Sequence, residues 1–232
     1  RRPIVCETYK YPWILFDRHL YEKGGWVLHM LRHKLGDALW WKSINHYLLK
    51  FRDRSVETVD LVESIEEATG LNPRAFFDRW VFKSGYPQFR VQQDWDPKSG
   101  KASLWVLQTQ DVSAEAPLFE VPLSFRFSGK GWEKDFTQQI KAKEQRFTFK
   151  LPGAPLNVEL DPEHRLLKKS SFTKPLDMWL WQLKNSKSGL SRLLAAAHVA
   201  RWGSDACAAA LEAAARKEPF WAAASEMARA LG

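Results

Sequence analysis

Apolar and polar positions change rhythm twice along the chain, and the changes divide it into three parts. Up to about residue 87 the apolar residues recur at helical spacing. Leu20, Val27, Leu28, Leu31 and Leu35 share one stripe of a first helix, with Tyr21 at its start and at the edge of the stripe. Leu39, Trp40, Ile44, Tyr47 and Leu48 mark a second helix from about Asp37 to Phe51. Thr58 caps a third, which carries Leu61, Ile65 and Ala68 and stops at Gly70. A fourth opens with Asn72 as cap and Pro73 in the first helical position, holds Phe76, Phe77, Trp80 and Val81, and ends before Gly85-Tyr86-Pro87.

From about residue 88 to 168 the period falls to two. Phe89-Arg90-Val91 and Leu104-Trp105-Val106-Leu107 flank a turn at Asp96-Pro97-Lys98-Ser99-Gly100. Phe119 to Phe127 alternates over most of its length and leads into a turn at Ser128-Gly129-Lys130-Gly131. Trp132 to Ile140, Gln145 to Leu151 and Leu156 to Leu160 bring the total to about six short strands, the pattern of a small β-sandwich. Pro122 marks an edge or a bulge. Beyond this, alanine-rich helices return from about Lys174. Leu190, Leu193, Leu194 and Ala197 form one stripe, and Ala206, Ala209, Ala210 and Ala213 another. Leu194 to Arg201 is echoed by Trp221 to Arg229, an offset of about 28 residues that suits stacked helical hairpins. The expected organisation is therefore α+β and multidomain: helices over 1–87, a β-sandwich over 88–168, and the start of a helical repeat over 169–232.

Both ends read as parts of something longer. Arg1-Arg2-Pro3-Ile4-Val5 runs into Tyr9, Tyr11-Pro12-Trp13-Ile14-Leu15-Phe16, an apolar and irregular stretch without a partner of its own. The helical echo stops after about two units, where such arrays need three or more.

Composition narrows the classes of function. At 45% hydrophobic and 27% charged residues, the chain is ordinary for a globular protein. No apolar run approaches the ~18 residues of a membrane span. Cys6 and Cys207 stand far apart and make neither a disulfide framework nor a metal spacing. The net charge is +8, but Lys and Arg are scattered among Asp and Glu, which argues against a nucleic-acid partner.

The chemistry gathers at Tyr21-Glu22-Lys23-Gly24-Gly25, continuing as Trp26-Val27-Leu28-His29-Met30-Leu31-Arg32. The phenol sits at a helix start, and two glycines would let other backbone approach the first turn closely. The stretch resembles a Tyr-x-Lys-Gly-(small)-x-Val-x-x-Met segment of the aminopeptidase N family of zinc peptidases (gluzincin type). The resemblance extends along the chain. Phe76-Phe77 with Trp80 and Gly85-Tyr86-Pro87 is similar to the end of the family's peptidase domain. Asp161-Pro162-Glu163 with Leu166-Leu167-Lys168 is similar to its sandwich-to-helix junction. Phe220-Trp221 with Ala230-Leu231-Gly232 is similar to a helix of its carboxy-terminal superhelix. Each motif is weak alone; their order and spacing carry the likeness.

The resemblance implies the helical end of a thermolysin-like peptidase domain, then a β-sandwich, then HEAT/armadillo-like helical hairpins. It implies a parent that removes amino-terminal residues from peptide substrates with one zinc ion. It makes Tyr21 the transition-state tyrosine, a neutral proton donor to the developing oxyanion. The His-Glu-x-x-His helix and later Glu that hold zinc in the family are absent, as is its Gly-x-Met-Glu-Asn segment. The metal would be held by residues upstream, in the missing amino-terminal part of the same protein, and this chain alone would be inactive. A non-catalytic aminopeptidase-like scaffold for protein–protein interaction is the alternative; an unrelated sandwich-plus-repeat binding module is a third. The sequence leaves the compartment open, with the cytoplasm favoured.

Other candidates read more plainly. His29 and His33 stand at i and i+4, a spacing that can share a metal, but Met30 occupies the position next to His29 where a general base belongs. The pair lies roughly opposite the apolar stripe and reads as solvated or partner-facing. His19, His46, His164 and His198 are isolated in sequence. Glu22 and Lys23 are expected to orient the helix start or form ion pairs, Glu66-Glu67 to be solvated, and Ser186 to Gly189 to form a linker turn.

Overall fold

The structure is a computed structural model that describes residues 2–113 and 116–230. Arg1 of the amino-terminal apolar stretch and Leu231-Gly232 of the carboxy-terminal likeness lie outside them. The chain forms two compact units: 1–88 with 110–118 and 165–169, and 89–109 with 119–164 and 170–232. The α+β expectation holds at the level of elements.

In the first unit four helices follow a wide turn: α1 (Gly24–Leu35), α2 (Asp37–Lys50), α3 (Thr58–Thr69) and α4 (Arg74–Trp80). Gly36 joins α1 to α2 at φ 78°, a conformation that favours glycine, and Gly70 ends α3 in the left-handed region at φ 73°. The cap of α3 is Glu57 rather than Thr58: the Asp60 carboxylate reaches back to the Glu57 N–H at 2.7 Å, satisfying a donor that Thr58 could not. Asn72 accepts from the Arg74 N–H at 2.8 Å, so the helix begins one residue later than the pattern suggested. The buried face of α1 is Val27, Met30 and Leu31, in line with Lys23 one turn earlier. Leu20 and Leu28, expected on that face, are exposed, and Met30 takes the place of Leu28 and accepts from the Leu167 N–H.

Among the described residues seven strands follow: β1 (Gln88–Asp96), β2 (Lys101–Gln108), β3 (Val121–Gly129), β4 (Trp132–Ile140), β5 (Glu144–Lys150), β6 (Asn157–Leu160) and β7 (Lys169–Thr173). They form a four-stranded sheet β5-β2-β1-β7 and a three-stranded sheet β4-β3-β6. One strand more is present than the alternation revealed, because β7 reads Lys-Ser-Ser-Phe-Thr and buries only Phe172. It lies beyond the boundary at 168 drawn from the sequence. Phe125 and Phe127 of β3 meet Phe149 of β5 at ring separations of 6.2 and 5.2 Å, which locks the two inner faces together. Pro122 is tolerated because β6 pairs with β3 only from Phe125 to Ser128, so one side of the strand is open at the proline.

Four helices follow: α5 (Leu176–Asn185), α6 (Gly189–Ala200), α7 (Asp205–Lys217) and α8 (Trp221–Arg229). Ser188 caps α6 and Ser204 caps α7, each accepting from the backbone N–H three residues on. The expected stripe on α6 is on the wrong face. Leu190, Leu194 and Ala197 are exposed, while Ser191, Ala195, Ala196 and Val199 are buried. Small residues win because α6 packs closely on α5 and α8, where leucine would hold the helices apart. Ala206, Ala209 and Ala213 of α7 are likewise exposed, and Cys207 and Leu211 are buried instead. The sequence echo does carry over to burial: Ala196 and Val199 on α6 correspond to Ala223 and Met227 on α8.

Candidate functional site

Tyr21 stands on a single π-type turn, His19–Lys23, in which the Lys23 N–H bonds to the Arg18 carbonyl at 2.9 Å. An extra residue in the turn swings a side chain out of helical register, a device common at functional sites. The ring is 61% exposed and tilts against Phe16 at 6.4 Å. It is therefore open to a ligand and not part of the packed interior. Gly24 and Gly25 do not serve as expected: a side chain at Gly25 would meet nothing within 4 Å, and at Gly24 only the His19 carbonyl at 4.0 Å.

The turn is clamped at its start by Asp17. Its carboxylate accepts from the His19 N–H at 2.8 Å, the Leu20 N–H at 3.3 Å, His19 Nδ1 at 2.9 Å and Arg2 Nη2 at 2.6 Å. Arg2 also donates to the carbonyls of Pro3, Ile4 and Leu15. Burial pushes the Asp17 carboxyl up, but bonds to His19, Arg2 and Leu20 outweigh it and hold the group well below the carboxylate range. His19 is thus engaged rather than isolated. The segment entering the turn is held too, since the Ile4 and Val5 N–H groups bond to the Val81 carbonyl at 3.0 and 3.3 Å. Residues 9–16, by contrast, present Tyr9, Tyr11, Trp13, Ile14 and Phe16 to the outside.

At the other end of the turn lies Lys23, expected to orient the helix start or form an ion pair; it is buried and bonds a backbone carbonyl in place of a carboxylate. Its side chain is 7% exposed, and its Nζ donates to the Lys83 carbonyl at 3.1 Å. Burial, then the nearby Arg2 charge, lowers its pKa to about 8. Nothing in the spacing distinguished it from a solvated lysine; its place four residues before Val27 was the available signal. Glu22 pairs with Arg18 at 3.5 Å on the exposed side of the turn.

The remaining candidates have structural partners. His29 and His33 meet edge to face at 4.4 Å on the exposed side of α1, with Trp26 against His29. Glu67, expected to be solvated, bonds His46 and Lys50 at 2.7 Å each, and Glu66 takes both sides of the Arg74 guanidinium. His164 bonds Ser188 and Ser191 at 3.1 Å, and His198 stacks on Trp179 at 3.9 Å. Among the described residues no group of three His, Cys, Asp or Glu side chains could hold a metal ion, so the residues present do not fit a zinc centre by themselves.

Comparison with known proteins sets this geometry in context. Residues 2–80 match the peptidase family M1 domain. Over 101 residues the chain is 31% identical to the mitochondrial aminopeptidase 2 of Saccharomyces cerevisiae, covering 44% of this chain and 11% of that protein. Over 120 residues it is 31% identical to aminopeptidase N of Lactococcus lactis, covering 50% of this chain and 13% of that one. The chain thus spans a small part of these relatives' length. In fold, it resembles Legionella pneumophila aminopeptidase A, crystallised in complex with aspartic acid. The TM-score is 0.75 and the identity 17%, over 97% of this chain and 28% of that one.

Proposed function

We propose that the chain, whose residues 2–80 match the peptidase family M1 domain, is part of a zinc-dependent aminopeptidase of that family in which Tyr21 stabilises the transition state. The observation that carries the reading is the exposed phenol on a turn held rigid at both ends. In this reading residues 1–87 are the carboxy-terminal helical part of a thermolysin-like peptidase domain. The helices from α5 onward begin a HEAT/armadillo-like array, and the substrates are short or unfolded peptides. Zinc, when bound, supplies a Lewis acid and an activated water, and its ligands lie in residues outside this chain.

The chain's own contribution is charge stabilisation. A phenol is protonated at neutral pH. As the peptide carbonyl becomes tetrahedral, Tyr21 Oη donates a hydrogen bond to the oxygen that gains charge. A fixed donor is effective because it is already oriented when the charge develops. Asp17 and Lys23 supply that fixity by holding the two ends of the turn. On this reading the chain alone binds zinc weakly and hydrolyses nothing.

The test is to purify the longer protein containing this chain and measure bound zinc and release of 4-nitroaniline from aminoacyl anilides. Bound zinc with chelator-sensitive hydrolysis is the expected result. A protein that binds no zinc and leaves every anilide intact would overturn the proposal in favour of a non-catalytic scaffold.

A further inference from the structure

Lys23 lines a cleft of about 480 Å³ whose walls include the rings of Trp26 and Tyr86. Arg18, Lys168 and Lys169 stand around it, and the one carboxylate in the lining, Glu22, is turned to Arg18. His19, also in the lining, is bonded to Asp17. The Lys23 ammonium has three N–H donors, of which one is used, on the Lys83 carbonyl. No carboxylate pairs with it among the described residues. Burial, and then the charge of another cation, Arg2, disfavour the ammonium form. A buried cation that feels a second cation is costly unless an anion joins it.

We propose that this cleft binds a carboxylate on an apolar peptide body, with Lys23 donating to the carboxylate and Trp26 and Tyr86 packing against the side chain beside it. A single ammonium with two donors to spare matches one carboxylate. A phosphate dianion is held best by several donors converging on it, whereas the guanidinium on the rim, Arg18, is 90% exposed and engaged by Glu22. The lysines on the rim add positive potential that draws the anion in. The peptide's own carboxy terminus and an acidic side chain share this chemistry.

The inference concerns binding, so it is tested on this chain without any turnover. Acetyl-Phe-Leu with a free carboxylate and its carboxamide are titrated into the protein by calorimetry, while NMR follows the pH titration of the Lys23 side chain. The acid should bind at least tenfold tighter than the amide. It should also raise the Lys23 titration midpoint above about 8, a readout that needs no variant. Lys23→Met should reduce the acid to the level of the amide. Acetyl-Glu-Phe-amide separates the two sources. Binding like the acid assigns an acidic side chain, and binding like the amide assigns the carboxy terminus. Equal binding of acid and amide, binding of neither, an unmoved Lys23 titration, or the same shift from inorganic phosphate would each overturn the proposal. None of these outcomes bears on hydrolysis, so the aminopeptidase reading stands or falls separately.

Discussion

At the scale of single residues, three side chains make up the proposed site. Tyr21 is legible from the sequence because its neighbours form a recognisable segment. Asp17 and Lys23 were not, because their roles depend on bonds to Arg2 and to the Lys83 carbonyl, distant in sequence. Asp17→Ala should leave the rest of the first unit folded but free the turn, with faster amide exchange at Leu20 to Lys23; unchanged exchange would mean the carboxylate does not hold it. Lys174 is the second buried cation. Its ammonium donates to Asn157 Oδ1, the Val158 carbonyl and Gln182 Oε1 at 2.6, 2.9 and 2.5 Å, and lies 4.1 Å from the Trp179 ring. Replacing it with Met strands three buried acceptors. A loss of roughly 2–4 kcal/mol in denaturant unfolding is expected, and a change under about 0.5 kcal/mol, the usual range for a surface substitution, would contradict this cage.

At the scale of elements, period identified strands and helices well but assigned faces poorly. β2 and β3 alternate cleanly because each sheet buries one face. Helix α6 did not follow its leucines. On α6 an alanine, serine and valine face is buried while Leu190 and Leu194 remain outside, since close helix packing selects small side chains over large ones. β7 was missed because a polar strand with one buried phenylalanine carries almost no alternation. Caps were legible to within a residue, as with Asn72 and Glu57. They are also testable. Ser204→Ala removes the acceptor for the Cys207 N–H and should cost about 1 kcal/mol. A smaller cost from Ser204→Gly, read in the same urea titration, would separate the cap from general helix propensity.

At the scale of the whole molecule, burial of two lysines gives stability a particular pH dependence. Burial holds Lys174 down at about 7 and Lys23 at about 8, against an ordinary value of 10.5. Between these values and 10.5 the unfolded chain binds protons that the folded chain does not. Stability should therefore rise with pH through this window and be lost as pH falls through about 7 to 8. Urea midpoints measured from pH 6.5 to 9 should increase, and Lys23→Met and Lys174→Met should each flatten the slope; a wild-type midpoint that falls with pH contradicts the burial of these charges. The family likeness was readable because several weak motifs occur in one order over the chain; among the described residues no cluster could hold a metal ion. The central claim is that Tyr21 donates a hydrogen bond to the transition state. It is tested most directly by Tyr21→Phe in the longer, zinc-loaded protein, with kcat, KM and zinc content measured together. The account predicts a fall in kcat on the order of a hundredfold or more with KM and zinc nearly unchanged; wild-type kcat with zinc intact would contradict it.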